Sequence, residues 1–174
     1  MPGRRSRALG LAVALAFAPA AALACPPPPP PPAPWPDESP GHFGERLRAI
    51  EAEELARTVE AQQRRWAEAA SVVLARVERV EPIRSGLYDG MNRATLLPMR
   101  ALKGSAPRRA FVLADSGMTD CGAYGAGDAT AARSGEVVLL YLRRGRPSAR
   151  TLLDAIAETR VRDPRARLLI DQPY

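Results

Sequence analysis

The chain has 174 residues, 25% of them charged, a formal net charge of +6 and a single histidine. That length supports one domain with a hydrophobic core. The mild excess of arginine does not point to a nucleic-acid partner. His42 alone cannot supply a histidine-based triad or a zinc site, which need several partners at set spacings.

Residues 1–24 have the form of a signal peptide: basic Arg4, Arg5 and Arg7, an apolar stretch over 8–18, and the small-residue end Ala22-Leu23-Ala24. Without those three arginines the formal charge falls from +6 to +3. The apolar stretch is too short to span a membrane comfortably, and no later stretch qualifies. The expected mature chain is therefore exported, periplasmic or secreted, with Cys25 as its first residue. Two fates stand open for Cys25. It is lipidated as in bacterial lipoproteins, although Leu23 stands one place late for that signal. Or it pairs with Cys121, the only other cysteine, since disulfides persist in such compartments.

Residues 25–41 form a proline-rich extended segment. Pro26 to Pro32 must adopt polyproline II, which at roughly 3.1 Å per residue reaches about 20 Å. Residues 42–70 read as an amphipathic helix, with Leu47, Ile50, Leu55, Val59 and Trp66 at helical spacing and charges mostly on the other faces. Its stripe is expected to cover part of a sheet.

From Ser71 the period changes to two. Residues 71–81 read as a half-buried strand, and 82–92 as a loop. Residues 93–102 form a second strand, bent or at an edge because Pro98 cannot donate to a ladder. Lys103-Gly104-Ser105-Ala106-Pro107 turns the chain into a third strand over 109–115, and 136–144 is the most apolar strand. Residues 151–156 start a helix or form a fifth strand. Asp163-Pro164 is a cap and first position for a short helix over 165–170. Several short strands between turn signals suggest a small barrel or sandwich.

The landmarks from Cys25 and over 69–156 resemble the netrin-like module, whose members include the N-terminal domains of the tissue inhibitors of metalloproteinases. The resemblance rests on a first-residue cysteine and a strand Ala70-Ser71-Val72-Val73-Leu74-Ala75-Arg76-Val77. It continues with a second strand closing in Leu102-Lys103-Gly104, then Cys121-Gly122, and an apolar strand 137–142 containing a tyrosine. It implies a mainly β chain, a five-stranded OB-like barrel over 71–174 with associated helices, and a bridge from Cys25 to Cys121. The N-terminal helix, unusual for the inhibitors, is expected to pack on the barrel through its own apolar stripe. The chain departs from the inhibitors in lacking Cys-x-Cys at its start and in placing Leu153-Asp154 where another family cysteine falls.

The expectation for function is a non-enzymatic binding module of the bacterial envelope with no cofactor or metal. Its partner would be an undetermined protein or an anionic envelope surface, met by Arg143, Arg144 and Arg146. One alternative is a metalloprotease inhibitor acting through the Cys25 amine. Another is a homodimeric aspartic protease using Asp115, because Asp115-Ser116-Gly117 follows an apolar strand as in retropepsin-type enzymes.

Overall fold

A computed structural model describes residues 29–84, 90–119 and 122–172. The leader, Cys25 and Cys121 lie outside these, and with them both fates of Cys25 and the inhibitory amine. Helix α1 (Pro40–Glu68) starts where Ser39 Oγ accepts the His42 N–H at 3.3 Å and proline occupies the first turn. His42 itself is exposed. The preceding segment folds back onto the helix. Arg46 is bonded to both Glu38 oxygens (2.9 and 2.7 Å) and to the Ala33 carbonyl. Its guanidinium lies 4.5 Å from the centre of the Trp35 ring and 5.2 Å from that of Phe43. The Arg46 bond holds the Glu38 carboxyl below the usual carboxylate range.

The apolar stripe of α1, expected to cover part of a sheet, meets the sheet at its C-terminal end only. Leu55 is 49% exposed, and Gln62 is the helix's one buried residue among those described. Length explains the difference. A 29-residue helix runs about 44 Å, whereas the six-residue strands it reaches run about 20 Å, so the N-terminal turns project past the sheet.

The main sheet contains β1 (Ser71–Pro82), β2 (Asn92–Lys103), β3 (Phe111–Ala114), β6 (Val137–Leu142) and β7 (Leu152–Ala157), in the order β3-β2-β1-β6-β7, all antiparallel. Residues 151–156, open between helix and strand in the sequence, thus fall largely in β7. β1 to β3 follow in sequence and β6 returns beside β1, which is a Greek key. Pro98 is accommodated because β3 pairs with Arg93–Leu96, and from Leu97 onward the outer side of β2 has no partner strand among the described residues. A hairpin of β4 (Gly117–Thr119) and β5 (Gly122–Tyr124) and the short helix α2 (Asp128–Ala131) link β3 to β6.

The expected five-stranded barrel is instead an open sheet, and helices are substantial enough that the fold is mixed rather than mainly β. β3 and β7 are its edges and share no ladder. α2 touches both edges. Gly127 lies against β7, where an added Cβ would be 3.1 Å from the Ala155 carbonyl oxygen. Asp128 Oδ2 accepts the Ala157 N–H at 2.8 Å. Asp154 Oδ1 similarly accepts the N–H of Ala155 at 2.9 Å. A helix and two carboxylates therefore occupy the side of β7 that a closing ladder would need.

Both faces of the sheet are covered. Val73, Ala75, Val77, Leu96, Leu113, Val138 and Leu140 pack on one side with Ala126 and Ala129 of the α2 region. On the other, Val72, Leu74, Leu139, Tyr141 and Ile156 meet Trp66, Ala69, Val161 and Ala166. Residue 166 belongs to α3 (Pro164–Ile170), which Asp163 caps by accepting the Arg165 N–H at 3.0 Å. Tyr141 is fully buried and its hydroxyl has no hydrogen-bond partner among the described residues. Burial, reinforced by the negative charges of Asp163 and Asp154, pushes the phenol above its ordinary range. Tyr141→Phe deletes an unsatisfied polar atom and keeps the ring, so it is expected to leave stability unchanged or raise it by about 1 kcal/mol, read as the urea midpoint.

Candidate functional site: a basic cleft at one end of the sheet

The cleft lies where β1 begins and β2 and β6 end. Pairing sets its floor: Ser71 is opposite Leu142, and the Ala70 N–H donates to the Leu142 carbonyl at 2.8 Å. One wall is the turn after β2, Gly104 to Pro107. The other is the start of the β6–β7 loop, Arg143, Arg144, Gly145 and Pro147, and the space between is about 480 Å³.

Each wall is held in place by a specific side chain. Lys103, the only lysine, donates to the carbonyl of Trp66 at 2.6 Å and more weakly to that of Ala67 at 3.4 Å. It thereby satisfies carbonyls at the end of α1 where a cation is favoured. Gly104 follows with φ +67°, its backbone close against the Ala70 carbonyl and Ser71. On the opposite wall Thr151 organises the loop. Its Oγ1 donates to the Arg146 carbonyl at 2.8 Å and accepts the Ser148 N–H at 2.9 Å, while its own carbonyl accepts the Arg143 N–H at 2.8 Å.

The electrostatics of this end differ from the rest of the surface. Most of the described arginines elsewhere are matched with carboxylates, as Arg64 is with Glu60 (2.6 Å), Arg160 with Asp128 (2.8 Å) and Arg165 with Asp163 (3.0 Å). Arg143 and Arg144 line the cleft, and Arg108, Arg109, Arg146 and Arg150 stand exposed on the same two loops. None of these six has a carboxylate within 4 Å among the described residues. The segments 104–110 and 143–151 contain no aspartate or glutamate. Ser71 and Ser105 lie beside the two cleft arginines, so the recess is rich in donors and suited to an anion.

Of the residues singled out from the sequence, Arg143 and Arg144 thus come together at one recess, and Arg146 stands on its rim. The charge run identified them. Arg108 and Arg109 were not anticipated, because only the strand register brings their loop opposite the first.

Asp115 is held in a structural bracket. It is buried; Oδ2 accepts the Asn92 N–H and Oδ1 the Thr130 hydroxyl, each at 2.8 Å. These bonds tie the end of β3 to the start of β2 and to α2. Asp115→Ala leaves both donors without that acceptor and is expected to cost about 3 kcal/mol. Asp115→Asn keeps a carbonyl oxygen for Asn92 and an amide for Thr130, and is expected to cost about 1 kcal/mol, both measured by urea unfolding.

A second recess, between α1 and β7, holds Asp128, Asp154 and Arg160. Burial raises the Asp154 carboxyl above its ordinary range, opposed by the Ala155 N–H and by Arg65 at 3.8 Å. Its carboxylates are committed to the edge of β7. Among the described residues, no group of three or more His, Cys, Asp or Glu side chains could hold a metal ion, and no helix is long and apolar enough to cross a membrane. Compared with protein-family models, curated proteins and solved structures, the chain matches none.

Proposed function

We propose that this chain is an exported, non-enzymatic binding module that holds an anionic partner at the cleft lined by Arg143 and Arg144. The observation that carries this reading is the contrast in charge pairing. Most of the described arginines elsewhere have a carboxylate within 4 Å, while the six around one recess have none among the described residues. Export follows from the leader form of residues 1–24. Kinship with the netrin-like module belongs to the same proposal. The Greek-key order and the position of α2 on both edges support it.

The test is binding of the mature chain, at low salt, to three anionic probes: a glutamate-rich peptide, phosphatidylglycerol vesicles and inorganic phosphate. At least one is expected to bind, to weaken as salt rises, and to be lost in Arg143→Glu/Arg144→Glu. Retention of none of the three, or binding indifferent to the double reversal, overturns the proposal.

A further inference from the structure

Resting on that reading, we infer that the occupant of the cleft is an extended acidic segment of another polypeptide, its carboxylates seated on Arg143 and Arg144. Three observations select this chemistry. First, the site is a recess between two loops, and the flat plane of a bilayer headgroup layer does not enter a recess. Secondly, amphipathic elements that lie in a membrane surface insert apolar side chains beside their charges. The exposed large apolar residues described are Trp35, Leu55, Met99, Val112, Tyr124 and Leu168, and none stands on 104–110 or 143–151.

Thirdly, the charge is spread. Two arginines line the recess and four stand along the loops that frame it. A single small anion reaches the first pair alone, whereas a chain of carboxylates meets both sets. The lining suits such a chain. Ser71, Ser105 and the two guanidinium forks offer donors to carboxylates, while Ala106, Pro107 and Pro147 offer apolar surface to the methylene stems of glutamates.

The two sets of arginines then divide the work. Arg143 and Arg144 make the close, directional bonds that determine how long the segment stays. Arg108, Arg109, Arg146 and Arg150, exposed and solvated, act at longer range on the rate of encounter.

The experiment uses the mature chain and a labelled octaglutamate peptide, followed by fluorescence anisotropy and stopped flow, with phosphatidylglycerol vesicles and inorganic phosphate in parallel. The peptide is expected to bind more tightly than either. Arg143→Gln/Arg144→Gln is expected to raise Kd at least about 30-fold, mainly through faster dissociation. Replacing the four rim arginines by glutamine is expected to slow association about tenfold, flatten its salt dependence and leave dissociation unchanged. All six side chains are exposed and have no carboxylate within 4 Å among the described residues, so circular dichroism should show both variants folded.

If vesicles or phosphate bind through Arg143 and Arg144 and the peptide does not, the anion-binding proposal stands and the polypeptide inference is overturned. If the peptide binds but the cleft pair can be replaced without effect, the cleft assignment fails. Equal effects of cleft and rim variants on both rates overturn the division of roles. Failure of all three probes removes the inference together with the function it rests on.

Discussion

Gly104→Ala is expected to cost the fold about 3 kcal/mol, a midpoint shift of roughly 6–12 °C for a chain of this size. The residue sits at φ +67°, a left-handed conformation that alanine adopts only with strain. The larger part of the cost is contact. A methyl group there would run into the Ala70 carbonyl and come within 3.1 Å of the Ser71 Cβ. Neither can retreat freely, because Ala70 and Ser71 are bonded to β6 through Leu142. Relief would have to come from the turn itself, carrying Lys103 away from the end of α1 and widening the cleft. The variant is therefore expected to weaken anionic-probe binding as well as lower the thermal midpoint. A midpoint within about 2 °C of the parent would show that the turn yields without disturbing its neighbours.

Gln62→Leu is expected to cost a similar amount, about 3 kcal/mol. The side chain is 5% exposed and makes three bonds at once. Its amide donates to the Arg160 carbonyl at 3.0 Å, and its oxygen accepts the backbone N–H of Arg162 at 2.6 Å and of Asp163 at 2.9 Å. Leucine has nearly the same bulk but leaves the buried Asp163 N–H, the part-buried Arg162 N–H and the Arg160 carbonyl without these partners. The damage should be local as well as global. The α1 end and residues 160–163 are joined here, and Asp163 in turn caps α3 and holds the Arg165 guanidinium, which lies 5.5 Å from the centre of the Trp66 ring. Hydrogen exchange is expected to rise first in α3 and in the last turns of α1. Unchanged protection there with an unchanged urea midpoint would mean that water replaces the glutamine without loss.

How much of this was legible beforehand depends on the length of the signal. The helix and the strands around Val72–Val77 and Val137–Leu142 announce themselves by periodicity, and Asp163-Pro164 marks a helix start by its capping chemistry. The open sheet did not. Its cause is a four-residue helix, too short to show a period, whose Asp128 reaches the amide of a residue far along the chain. Gln62 offered one faint sign: it stands at helical spacing between Val59 and Trp66 of the stripe, where an apolar side chain fits the pattern. Its three partners lie about a hundred residues away, and local sequence carries no trace of them. At the cleft, the arginine run after β6 could be read directly. The wall it faces could not, since the register of β1 with both β2 and β6 decides which loops become neighbours.

The carboxylates of Asp128 and Asp154 on β7 bear on self-association. An edge whose amides at Ala155 and Ala157 are already taken offers an incoming strand little to template on. The opposite border of the sheet is four residues long and shows Val112 half exposed, so stacking of one molecule against another should begin there. Acid discharges Asp154 sooner than an ordinary aspartate, and the guarded border would be the one to lose its protection as the surroundings turn sour.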